Sequence, residues 1–260
     1  MFLNSWGKVT TSAAQRAFRL EEFSLSSPKI SPKRLVDLLK TRSIHGLMVA
    51  PLPGNQRTLD FEFTDFAVVG LGTSIIDPTI DRIADDHFRS LQIAFEQTLA
   101  LGYRRIGLAV AANISRRLEH RWLSGFLVAQ QSLPARQRVP ALMPATREEI
   151  PPQLNPWIAR HRVDAVIFAL RDEELMGRAP REVGLVSLSV HGPGDAIAGI
   201  RQDEAQIGAD ATDLLIEKVQ RRETGAQRSP RLQLVRGAWS AGLSAPGAGC
   251  PRPSLLPRRT

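Results

Sequence analysis

The chain has 260 residues, enough for one large domain or two lobes around a sizeable core, and its 43% hydrophobic content is that of a globular protein. No apolar run approaches the roughly 20 residues that span a bilayer, and the N-terminus lacks the apolar segment of a secretory signal, so a cytoplasmic protein is expected. Cys250 is the only cysteine, which excludes an intrachain disulfide and a multi-cysteine metal site; the formal charge of +8 invites a polyanionic partner, but the arginines fall in scattered pairs (Arg104-Arg105, Arg116-Arg117, Arg221-Arg222, Arg258-Arg259) without interleaved aromatics.

In chain order, residues 1–10 carry no clear pattern, 12–18 read as the last turns of a helix, and 19–25 alternate loosely like a strand. After a turn at 26–31, Ser31 caps a helix with Pro32 at its first position, where a missing N–H costs nothing. Leu35, Val36, Leu38 and Leu39 form its apolar side. Residues 44–50 make a short buried strand that Pro51-Leu52-Pro53-Gly54 breaks into a loop; a short helix or turn around 59–63 precedes a strand at 66–71.

The best-marked stretch is 81–110, a helix followed by a buried strand. Asp85 or Asp86 can cap the helix, and Phe88, Leu91, Phe95 and Leu99 share one face. Gly102 ends it, Arg104 and Arg105 sit near the negative end of the helix dipole, and 106–110 run apolar, as a parallel strand covered on both faces does. Beyond it, 118–131 is helical with Trp122, Phe126 and Ala129 on one side. A Pro- and Arg-rich surface crossing at 132–156 holds a weak strand at 141–143. A helix at 156–161, a strand at 164–170, a short helix near 173–177, a strand at 183–190 and a turn at 191–194 follow. Residues 197–200 lead into a helix over 204–222, 232–235 and 238–239 form a closing strand pair, and 245–260 are too rich in Pro and Gly to order. Strand–helix alternation of this kind predicts an α/β protein with parallel sheets and ligands beyond the carboxyl ends of the strands. Pro51-Leu52, Asp86, Arg171, Ser189 and Arg201-Gln202 fall at such ends.

Catalytic motifs are missing. There is no G-x-S-x-G elbow; Gly70-Leu71-Gly72-Thr73-Ser74 lacks both the third glycine of a dinucleotide fingerprint and the lysine of a P-loop; the histidines have no zinc spacing. Asp85-Asp86 suits helix capping better than acid–base chemistry. No enzyme, cofactor or metal is expected.

Gly46-Leu47-Met48-Val49-Ala50-Pro51, then Asp86 ahead of Leu101-Gly102-Tyr103-Arg104-Arg105-Ile106-Gly107, then Gly125-Phe126 follow one another along the chain. Val163-Asp164-Ala165-Val166-Ile167-Phe168-Ala169, Glu182-Val183-Gly184-Leu185-Val186-Ser187, Ile200-Arg201-Gln202-Asp203, Ile207-Gly208 and Arg236-Gly237-Ala238-Trp239 continue the series to Ser244. In this order and spacing they resemble the effector-binding core of LacI-type transcription regulators, which is built like sugar-binding periplasmic proteins. The resemblance implies two doubly wound parallel-sheet lobes joined by crossovers, the periplasmic-binding-protein-like type I fold. The first would hold 1–103 with 203–225 and lack a central strand; the second would hold 104–202 with 226–244, ahead of a disordered 245–260 tail.

A small ligand, often a sugar, would sit in a cleft between the lobes with Asp86 at its mouth and Gln202 on a crossover. The family's second-lobe arginine is Trp122 here, with Arg121 beside it, and this ring either stacks on a sugar or packs in the core. A frequent asparagine is Arg171 and an aspartate is Ser189, which points to a different ligand, an anionic one among the options, or to a lost site. The expected function is therefore the effector-sensing core of a DNA-binding regulator, as a homodimer, contacting DNA only through a headpiece that this chain does not show. A free-standing solute-binding protein of the transport type is the alternative. Without a recognition helix the chain should not select one operator sequence. Titration against random and operator-like duplexes should give equal, weak, salt-sensitive binding, and tight salt-resistant binding to one sequence would contradict this.

Overall fold

The chain passes three times between two sheets. A computed structural model describes residues 16, 18–23, 31–169, 177–190 and 196–253. Its contacts divide the chain into one unit of Met1–Asp85 with Asp203–Val235 and a second of Asp86–Gln202 with Arg236–Thr260. Strands are numbered β1 to β9 and helices α1 to α6 along the described chain. The architecture is α/β with sheets covered on both faces, as the alternation predicts, in the two-unit, doubly wound arrangement that the resemblance implies.

In the first unit, strands β1 (Gly46–Val49), β2 (Ala67–Leu71), β3 (Asp81–Asp85) and β8 (Leu232–Val235) form a parallel sheet in the order β1-β2-β3-β8. Helix α1 (Pro32–Thr41) covers one face. Ser31 Oγ accepts from Arg34 N at 3.3 Å, and Leu35, Val36 and Leu39 pack with Phe63, Phe66, Val68 and Ile80. Helix α6 (Glu204–Arg221), capped by Asp203, covers the other face with Ile207 and Ala211 against Val69, Leu71 and Ile83.

The sequence reading missed β3. Asp81 and Arg82 look too polar for a buried strand, but each is satisfied by a partner outside it. Asp81 is 2% exposed, accepts from Lys218 Nζ at 2.8 Å and takes the Arg231 backbone N–H at 2.7 Å. These bonds outweigh the cost of burial and hold its carboxyl below the ordinary range. The Arg82 guanidinium donates to Ile75 O at 2.8 Å.

In the second unit, β4 (Ile106–Ala109), β5 (Ala165–Phe168), β6 (Gly184–Val190) and β7 (Ala198–Arg201) run parallel, and β9 (Ala238–Ser240) pairs antiparallel with β7. The expected β8–β9 pair is therefore corrected: the two strands belong to different sheets. The Arg236-Gly237 link is a crossing rather than a hairpin turn, and a Cβ on Gly237 would stand 2.5 Å from Ile200 Cγ2. Helix α2 (His87–Ala100) buries Leu91, Ala94 and Phe95 against this second sheet, so the division falls at Asp85–Asp86 rather than at residue 103.

Gly102 follows α2 with φ +95°, as its composition predicted. The helix expected over 118–131 is α4 (Arg121–Gln130); a further short helix that the sequence reading did not give, α3 (Ala112–Arg117), precedes it, and the two are parted where Glu119 and His120 take positive φ. His120 is held there by its N–H on Ser115 O at 2.7 Å and its ring on Ser115 Oγ at 2.9 Å. Helix α5 (Ile150–His161) begins before the predicted Pro156, because prolines are tolerated in a first turn, and it covers the opposite face with Leu154, Trp157 and Ile158. Leu142, predicted as a weak strand, makes a single parallel bridge to Ala109.

Residues 245–253 are ordered against the second unit, contrary to the composition. Ala248 N donates to Leu101 O at 3.0 Å, Arg252 N donates to Arg181 O at 2.9 Å, and Ala245 is buried. The predicted helix near 173–177 and turn at 191–194 fall largely or wholly outside the described residues, as do 254–260.

Removing Lys218 alone leaves the Asp81 carboxylate buried without its cation. Lys218→Met should cost about 3–5 kcal/mol in urea unfolding, and adding Asp81→Asn should restore much of the loss. A loss under about 1 kcal/mol for the single change would show that the pair is not structural.

Candidate functional site

Strands β4 to β7 end at one edge of their sheet. Helices α2 and α4 each run back from that edge, so their first turns, with free N–H groups, stand beside the strand ends. Asp86 caps α2, its Oδ1 accepting from Arg89 N at 3.0 Å. His87 follows, 7% exposed, with its ring edge-on to Trp122 at 4.9 Å between centroids. Burial, then the positive charge of Arg121, lowers the imidazole pKa to about 4, so His87 is neutral at ordinary pH. Arg121 itself is paired with Glu119 at 2.8 Å.

Three polar atoms here are buried without a hydrogen-bond partner: His87 Nδ1, Ser90 Oγ and Trp122 Nε1. Such an atom costs about 1–3 kcal/mol if nothing completes it, and native proteins leave few of them. Together they offer an N–H donor, a hydroxyl and a neutral imidazole. Ser90 Oγ and Arg201 O lie 3.3 and 3.1 Å from where a Gly237 Cβ would stand, which sets the Ser90 hydroxyl against the end of β7 beside Gln202. Gln202 Nε2 reaches Leu188 O at 3.5 Å, and the neighbouring Ser189 donates its N–H to Ser187 Oγ at 3.1 Å where the β6–β7 register shifts.

The structure thus places Asp86, Arg121, Trp122, Ser189 and Gln202 in one unit at one sheet edge. Pro51 belongs to the first unit, after β1, and Arg171 lies outside the described residues. Trp122 is 3% exposed within the core of the second unit, so its ring faces are occupied by packing and His87, and its N–H is the group left over. His87 and Ser90 escaped the sequence reading. Their signal was legible: with Leu91 and Ala94 they occupy helical spacings on the buried face of α2, where polar residues need a reason.

Asp85, which the sequence offered as an alternative cap, is instead the last residue of β3. Its Oδ1 is buried without a partner, and burial, then the Glu204 and Asp203 charges, push its carboxyl up to about 7. Among the described residues no three His, Cys, Asp or Glu side chains are grouped to hold a metal, and no helix is long and apolar enough to cross a membrane.

The sequence matches no protein-family model and no curated protein. Solved structures do match. A periplasmic binding protein/LacI transcriptional regulator from Alkaliphilus metalliredigens complexed with D-xylulofuranose is 14% identical over 92% of this chain and 91% of that one, with a TM-score of 0.63. A regulatory protein of LacI family from Chloroflexus aggregans is 18% identical over 92% and 90%, TM-score 0.64. A LacI family transcriptional regulator from Enterococcus faecium with bound ribose is 14% identical over 92% and 91%, TM-score 0.61. The fold is the LacI-type effector-domain fold. At these identities the likeness fixes the LacI-type architecture and leaves the site to be argued from its own residues.

The two titrating groups act in opposite senses. His87 is neutral in the fold and has an ordinary value of 6.5, so its stabilisation is present above pH 6.5 and is lost as pH falls toward about 4. Asp85 is held protonated, so its contribution is present below 3.8 and is lost as pH rises through about 7. Hydrogen exchange corrected for intrinsic rates should therefore show acidification from about pH 6.5 to 4.5 loosening the second unit, by up to about 1.4 kcal/mol per pH unit, while tightening the first. His87→Gln should flatten the second-unit response and Asp85→Asn the first. Parallel responses of both units would contradict the assignment.

Proposed function

We propose that this chain is the effector-sensing core of a LacI-type transcription regulator and that its effector is an uncharged, hydroxyl-rich small molecule of sugar size. The observation that carries the reading is the group of unpartnered buried polar atoms on His87, Ser90 and Trp122, next to Asp86 and Gln202. A sugar hydroxyl both donates and accepts, and it suits an indole N–H, a serine hydroxyl and a neutral imidazole together. An anion suits them less, because His87 is uncharged and Arg121, the cation whose charge reaches it, already holds Glu119. The xylulofuranose and ribose bound by two structural neighbours support the same ligand class.

The regulator is read as a cytoplasmic homodimer that meets its operator through a separate headpiece. Occupancy of the edge would be passed on through the backbone, since the chain enters the second unit at Asp86, leaves it at Gln202 and re-enters it at Arg236, all next to the site residues or Gly237. Binding of the favoured conformation would then shift the population that a headpiece senses.

Thermal melts against a panel of pentoses and hexoses test this. A ligand at a hundred times its Kd should stabilise the fold by about 2.7 kcal/mol, a shift of several degrees. Ser90→Ala and Gln202→Ala should each weaken the responding sugar about tenfold or more while leaving the unliganded melt nearly unchanged. No response to any neutral sugar, or an equal response in both variants, would contradict the proposal.

A further inference from the structure

We propose that the opposite edge of the second sheet, where its strands begin, binds the phosphate backbone of duplex nucleic acid without reading sequence. The arginines that look scattered in the sequence meet there. Arg104 and Arg105 precede β4, Arg136 and Arg138 lie in the loop after α4, Arg160 and Arg162 close α5, and Arg181 precedes β6. The fold joins these segments directly: the Arg105 guanidinium donates to His161 O at 2.8 Å and to Arg136 O, and Asp164 N donates to Arg105 O.

Three of these side chains have structural duties. Arg104, Arg105 and Arg138 donate to carbonyls at the carboxyl ends of α2, α5 and the turn after α4, including Leu99 O, His161 O and Leu133 O, where they offset helix dipoles. Arg136, Arg160, Arg162 and Arg181 are exposed and carry no side-chain hydrogen bond or ion pair among the described residues. Two carboxylates share the edge among the described residues. Asp164 is consumed by the backbone N–H groups of Arg104 and Arg105 at 2.8 and 2.9 Å, which leaves Glu182. Among the described residues this edge therefore carries a surplus of arginines over carboxylates.

The composition of that face selects the partner. Guanidinium forks match phosphate oxygens. Tyr103 and Trp157 are buried, so no aromatic platform is offered for unstacked bases, and a duplex fits better than a single strand. The large apolar side chains exposed near this edge among the described residues are Leu243 and, in the last turns of α4, Leu127 and Val128, three aliphatic groups without the aromatic anchors that centre a protein interface. Among the described residues no helix or ribbon at this edge is free to enter a groove, so contact stays on the backbone and sequence is not read.

The test is fluorescence anisotropy of the full chain with a labelled random duplex of about 20 base pairs, at several salt concentrations. Binding should weaken with a log–log slope of about −0.9 for each phosphate met. Arg136→Gln/Arg160→Gln/Arg181→Gln should reduce that slope by about 2–3 and weaken low-salt binding at least tenfold, with an unchanged melt. Lys33→Gln/Arg34→Gln/Arg228→Gln, which removes the same charge from exposed positions of the first unit, should stay within about twofold of the parent. An equal loss in both variants would mean diffuse net charge and overturn the assignment. Tighter binding of the single strand, or displacement of the duplex by poly-glutamate at equal charge, would overturn the choice of partner.

Discussion

At Asp86 the chain leaves the first sheet and begins the helix that covers the second, and one carboxylate serves both events. By accepting the Arg89 N–H it satisfies a first-turn donor that burial would otherwise strand. The cap sets where α2 begins, and that start fixes which residues turn inward: His87 and Ser90 go under, followed by Leu91, Ala94 and Phe95. Moving the cap by one residue would rotate this set by about a quarter turn and pull two polar side chains off the strand ends. The candidate site therefore depends on the same bond as the packing of the second unit.

The second unit is electrically polarised along its strands. At the carboxyl edge, helix first turns meet a neutral imidazole, a serine, an indole N–H and an arginine held by its own glutamate. At the amino edge, helix carboxyl ends meet arginines, of which some neutralise carbonyls and others point outward with no partner among the described residues. The same alternation of strand and helix makes both edges, because each helix returns its dipole opposite to its strand. The proposed hydroxyl-bearing ligand at one end and the proposed polyanion at the other would use that arrangement without any shared residue.

Much of the fold was legible because its signals are local. The Ser31–Pro32 start, the Gly102 stop, the apolar run at Ile106 and the periodicity of α6 each need a few neighbouring residues. What was lost needed partners far along the chain. Asp81 and Arg82 read as the lead of the helix, and the strand they begin shows only when Lys218 and Arg231 stand beside Asp81; β8 and β9 read as a pair until Gly237 is seen pressed on Ile200. The ordered stretch 245–253 depends on Leu101 and Arg181 in the same way. At the site, Asp86 and Gln202 came from a family resemblance and Trp122 from a departure from it. His87 and Ser90 could have been found from α2 alone by asking why its buried face carries polar residues. The arginine edge could not, because its members are separated by tens of residues in sequence.

The most direct test of the central claim is the indole ¹⁵N–¹H resonance of Trp122, assigned by its loss in Trp122→Phe among the signals of four tryptophans. An N–H without a protein acceptor must find one when a hydroxyl-bearing ligand occupies the edge. On titration with the sugar that stabilises the fold, this resonance should move downfield and saturate with the binding curve, while that of Trp157, which already donates to Pro140 O at 3.1 Å, stays in place. A sugar that binds with full occupancy and leaves the Trp122 resonance unmoved would contradict the account.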